Sequence, residues 1–105
     1  MNKYIKTDIE QGITFLKIAI NNALANLETG EEKEIKFEYP IPLQLIINCA
    51  KERGWTEDSN MNSDWTNGWQ IDYWYSMIHP NRSDYLSIDG SLLDGNTSLR
   101  IINDY

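Results

Sequence analysis

The sequence predicts an α+β domain: two helices packed on one face of an antiparallel sheet of three to four strands. Three observations predict it. Apolar residues recur at helical spacing from Ile9 to Leu27. The segment Trp69-Gln70-Ile71-Asp72-Tyr73-Trp74-Tyr75-Ser76-Met77-Ile78 is too aromatic for a loop and carries the period of two of an extended strand. Finally, Asp94-Gly95-Asn96 is a hairpin-turn signal between two alternating segments.

Taken in order, residues 1–6 form a short lead, and Thr7 with Glu10 has the spacing of a capping box, placing the helix start there. Ile9, Ile13, Leu16, Ile20, Leu24 and Leu27 make one apolar face about five turns long, and Gly30 supplies the stop. Glu34-Ile35-Lys36-Phe37-Glu38-Tyr39 alternates polar and apolar residues, as an edge strand does, and Pro40-Ile41-Pro42 ends it. Pro42 suits the first turn of a second helix with a stripe of Leu43, Ile46, Ile47 and Ala50, stopped by Gly54. Residues 55–68 form a long polar connection whose ends Trp55 and Trp65 tack to the core. A three-stranded meander follows: residues 69–79, Tyr85 to Leu92, and Thr97 to Asn103. Its inward face holds Ile71, Tyr73, Tyr75, Leu86, Ile88, Leu99 and Ile101. Its outward face gathers Asp72, Trp74, Tyr85, Ser87, Asp89, Ser98 and Arg100.

The chain of 105 residues is the size of one domain, 1–105, and can bury a modest core without disulfides or metal. The net charge of −7 is unevenly placed: from residue 55 onward Arg82 and Arg100 face eight acids, so this half carries −6. Such a balance disfavours direct contact with nucleic acid or anionic membrane and favours a basic partner. A lone cysteine, no apolar leader after Met1 and no span-length apolar run fit a cytoplasmic protein.

Catalytic and metal chemistry find little purchase. Cys49 lies in a helical apolar stretch, where a small buried thiol is the ordinary reading, and His79, the one histidine, sits at a strand end without an evident partner. There is no phosphate loop and no nucleophile elbow. Asp58, Asn60, Asn62 and Asp64 have the spacing that begins a calcium loop. Ser63 then stands where the glycine belongs and Trp69 where the bidentate glutamate belongs. A solvated polar loop accounts for them better, and no enzyme activity, metal or cofactor is expected.

The aromatic residues are the stronger signal. Trp69, Tyr73 and Tyr75 fill a core, whereas Trp74 points to the opposite face, beside Asp72, Tyr85 and Arg100. An aromatic among polar neighbours on a helix-free face is a natural binding centre. The competing reading covers Trp74 with the 55–68 connection or with a second copy in a homodimer. The partner-binding residues expected are Asp64, Trp65, Asp72, Trp74, Tyr85, Asp89 and Arg100.

In size, acidity and the style of Asn67-Gly68-Trp69-Gln70-Ile71-Asp72-Tyr73-Trp74, the chain resembles the small acidic accessory proteins of phages and mobile elements, including anti-CRISPR and other anti-defence proteins. That resemblance implies a class of role and transfers no site residue. It implies a non-enzymatic inhibitor of a basic, nucleic-acid-handling or defence protein. The alternative is a small-ligand module in which Trp65, Trp74 and Tyr85 stack on a nucleotide base or sugar.

Overall fold

The computed structural model describes residues 3–58, 72–91 and 93–103, with side chains described from Gln11 onward. Two helices and a five-stranded antiparallel sheet make the α+β architecture. The elements are α1 (Lys3–Thr29), β1 (Glu34–Phe37), α2 (Leu43–Glu52), β2 (Thr56–Glu57), β3 (Asp72–Ile78), β4 (Tyr85–Ser91) and β5 (Asn96–Ile102). The spatial order is β1-β5-β4-β3-β2, so the C-terminal meander is the centre of the sheet and the two short strands close its edges.

Three boundaries differ from the sequence expectation. Helix α1 begins at Lys3, so Thr7 lies inside it rather than at its cap. Lys3-Tyr4-Ile5-Lys6 contains no glycine or proline to halt the helix, and one threonine costs little in a helix interior. The fifth strand, β2, occupies the start of what reads as a polar connection; a two-residue pairing, Thr56 with Ile78 and Glu57 with Met77, is too short to show a period. Strand β1 ends at Phe37, two residues earlier than the alternation suggests, and it does form the edge, paired to β5 alone.

The pleat sorts the sheet into two faces. Tyr73, Tyr75 and Met77 of β3 lie opposite Gly90, Ile88 and Leu86 of β4; on β5, Thr97, Leu99 and Ile101 continue those rows. On this side pack Ile20, Ala23, Leu24 and Leu27 of α1 and Ile46, Ile47, Cys49 and Ala50 of α2, all buried in one cluster. The 38–42 connection is pinned over it. Thr97 Oγ1 accepts from the Ile41 amide at 2.9 Å and donates to the Tyr39 carbonyl at 3.0 Å, and the Tyr73 hydroxyl donates to the Ile41 carbonyl at 2.7 Å. Burial pushes the Tyr73 phenol above its ordinary value. Tyr73 fits because its cross-strand neighbour is Gly90: a Cβ there would run into the phenol ring.

A second set of contacts locks the helix ends to the sheet. Glu28, near the end of α1, accepts from Arg53 Nε at 2.9 Å and Nη2 at 2.7 Å, and from the Trp55 indole N–H at 3.0 Å. Arg82, in the β3–β4 connection, donates Nη1 to the Glu28 carbonyl at 2.9 Å and grips Asp84 with two further bonds of 2.7 and 2.9 Å. The Arg82 guanidinium lies 5.7 Å from the Trp55 ring centroid, and His79 meets the same ring edge-on at 5.3 Å. The Asn81 amide donates to His79 Nδ1 at 3.1 Å, so the imidazole proton sits on Nε2, 3.3 Å from the Arg53 carbonyl.

Candidate functional site

The opposite face of the sheet is the candidate site. Among the described residues both helices bury their stripes on the other side. Cross-strand register arranges this face in rows. Asp72, Ser91 and Asn96 form the first; Trp74, Asp89, Ser98 and Lys36 the second; Ser76, Ser87, Arg100 and Glu34 the third; and Thr56, Ile78, Tyr85 and Ile102 the fourth. Every strand contributes because each presents alternate residues here.

The fully buried serines Ser76 and Ser87 sit at the middle of the grid, with the larger Trp74, Ile78, Tyr85, Asp89 and Arg100 around them. Trp74 is half-buried rather than freely exposed, because its indole N–H donates to Ser87 Oγ at 2.9 Å, which holds the ring against the sheet. Arg100 Nη2 donates to Asp89 Oδ2 at 2.8 Å, and both side chains keep a third or more of their surface exposed. The Arg100 Nε is buried and has no hydrogen-bond partner among the described residues. Asp72 is exposed and makes no ion pair among the described residues. At the edges, Lys36 and Glu34 approach to 3.3 Å, and Asp58 reaches Ser76 through its amide at 3.2 Å.

Of the expected partner-binding residues, Asp72, Trp74, Tyr85, Asp89 and Arg100 therefore share one face. Asp64 and Trp65 lie outside the described residues, as do Asn60, Asn62 and Trp69 of the calcium-like spacing. The acids of the C-terminal half do not gather as their density along the chain suggests. Asp84 is held by Arg82, Asp94 sits in the hairpin turn, and Glu57 lies on the helix side, where it adds to the burial that chiefly raises the Tyr75 phenol. Only Asp58, Asp72 and Asp89 of the described acids from residue 55 onward stand on the open face. Charge counted along the chain has no knowledge of the pleat, which sends neighbouring residues to opposite sides.

Cys49 is buried in the core, and burial pushes its thiol above the ordinary value, the reverse of what a reactive nucleophile needs. Both ring nitrogens of His79 are engaged by backbone groups. Among the described residues no group of three or more His, Cys, Asp or Glu is placed to hold a metal ion, and no helix is long and apolar enough to cross a membrane.

Sequence reasoning missed the Glu28–Arg53–Trp55–Arg82 cluster. Arg53, Trp55 and Arg82 lie 25, 27 and 54 positions beyond Glu28 and share no motif with it. The one usable signal was Trp55 directly after the stop of α2, a bulky residue where a loop is expected.

Comparison with known proteins gives no match among family models, curated proteins or solved structures.

Proposed function

We propose that the protein is a non-enzymatic acidic binding protein that inhibits a basic, nucleic-acid-handling or defence protein of the cytoplasm, in the manner of the phage and mobile-element accessory proteins it resembles. The observation that supports this reading is the common placement of Trp74, Tyr85, Asp72 and the Asp89–Arg100 pair on the sheet face opposite α1 and α2. Trp74 and Tyr85 supply apolar area at low conformational cost; Asp72 and Asp89 steer a cationic surface toward them. Arg100 fixes the Asp89 carboxylate so that less ordering remains to be done on docking.

The test is capture of partners from the protein's own host cells with the wild type, Trp74→Ala and Asp72→Lys, followed by affinity measurement across a salt series. The expected result is a basic partner bound in a salt-sensitive way, weakened about thirtyfold or more by Trp74→Ala in a variant that stays folded. Binding indifferent to both substitutions and to salt overturns the proposal. Tight binding of a neutral sugar or nucleotide, insensitive to Asp72→Lys, favours the stacking alternative instead.

A further inference from the structure

Helix α1 is 27 residues long, about 40 Å at 1.5 Å per residue, whereas seven-residue strands span about 23 Å. Among the described residues its core stripe is fully buried from Ile20 onward; Leu16 is partly buried and Ile13, one face-repeat before Ile20, is exposed. Half a turn around the helix from that stripe lies a second row: Gln11, Phe15, Ile18, Asn22, Ala25 and Thr29. The steps are four, three, four, three and four, the period of a helix-pairing seam. Phe15 is 73% exposed and Ile18 53%, with Gln11 and Asn22 also exposed. Between Gln11 and Leu27 the only charge is Lys17, which is not in this row.

We propose that two copies of the chain associate by packing these outer faces of α1 against each other in antiparallel fashion. Three features select a second copy over a foreign partner. First, the row is self-complementary: a two-fold axis between Leu16 and Lys17 sets Phe15 against the second copy's Ile18 and Gln11 against its Asn22. Apolar layers then meet at the centre, with amide pairs that bond each other at the two ends. Second, the chain carries −7, so two copies repel over most of their surface, and this row from Gln11 to Thr29, which holds no charged residue, is where they approach without that cost. A basic partner gains nothing from a row without acids. Third, the antiparallel sense places the two sheet layers at opposite ends of the helix pair, which keeps the acidic halves apart; the parallel sense would set them side by side. The pairing does not involve the sheet face and stands independently of the function proposed for it.

A single helix pair is small for a protein interface, so association is reversible, with a dissociation constant on the order of micromolar to tens of micromolar. Sedimentation equilibrium on the full chain from about 10 μM to 1 mM tests it. The mass is expected to rise from 12.2 kDa toward twice that value as concentration increases. Phe15→Glu, and the uncharged Phe15→Gln, hold the mass at the monomer value while the circular dichroism spectrum and thermal midpoint of the dilute protein stay unchanged. In mixtures of Gln11→Cys and Asn22→Cys chains, oxidation gives the mixed cross-link in excess over either self-cross-link. A monomer at every concentration, a dimer that survives both Phe15 variants, or predominance of the self-cross-links overturns the proposal.

Discussion

Trp55 and Trp74 are the same residue type, both satisfy their indole N–H, and they belong to opposite economies of the molecule. Trp55 is 1% exposed, bonded to Glu28 at 3.0 Å, flanked by Arg82 and His79, and sealed beneath the junction of both helices with the sheet. Trp74 bonds Ser87 at a nearly equal 2.9 Å, yet stays half-buried on the far side of the sheet, against small and polar neighbours. Hydrogen bonding therefore does not distinguish a tryptophan committed to folding from one left available; the layer in which it is buried does. The helix side is held by apolar packing and a multidentate ion cluster, and the open side by pairwise polar contacts such as Trp74–Ser87 and Arg100–Asp89.

The largest expected effect comes from breaking the committed side. Trp55→Ala removes a fully buried side chain and leaves Glu28 short of a donor, so urea denaturation should show a loss of about 3–5 kcal/mol. The same substitution at Trp74 should cost no more than about 1–2 kcal/mol with an unchanged m-value, because that side chain is only partly buried. Equal losses at the two positions would erase the distinction.

A smaller effect sharpens it within the sheet. Gly90→Ala places a methyl against the Tyr73 ring on the helix side, and an overpacked contact of this kind costs about 1–3 kcal/mol. Ser91→Ala, the next residue but on the open side, should change the urea midpoint little by comparison.

The smallest effect is the pH dependence of the ion cluster. The Arg82 fork holds the Asp84 carboxyl below its ordinary 3.8. Burial acts to raise Glu28, but hydrogen bonds from Arg53 and Trp55 outweigh it and leave the group below its ordinary 4.5. A carboxylate lowered on folding stabilises the native state above its unfolded pKa, and that stability is lost as pH falls through the lowered folded value. The thermal midpoint should thus be flat above about pH 5 and decline below about pH 4.5, with a shallower decline in Glu28→Gln; partial exposure of both groups keeps the change modest.

Most of the fold was legible because its elements carry strong periods. The 3.6-residue stripe ending at Leu27, the alternation through Tyr73 and Tyr75, and the turn at Gly95, which adopts a φ of 68°, each state one local structure and agree with one another. The outward set Asp72, Trp74, Tyr85, Asp89 and Arg100 followed from parity alone, since strand register carries it through intact. What the sequence withheld was long-range. Nothing in the local pattern of Glu28, Arg53, Trp55 or Arg82 says that they meet, and two residues of β2 are too few to alternate. Nor does an acidic half of the chain become an acidic face once the pleat and Arg82 have divided its carboxylates.

The measurement that bears most directly on a sheet with one committed and one available side is solvent contact at the individual tryptophan rings. In two-dimensional NMR spectra of the protein with an inert paramagnetic cosolute, the Trp74 ring protons are predicted to broaden while those of Trp55 remain sharp. Equal protection of both rings would contradict the account, because it would mean that the face carrying Trp74 is already covered.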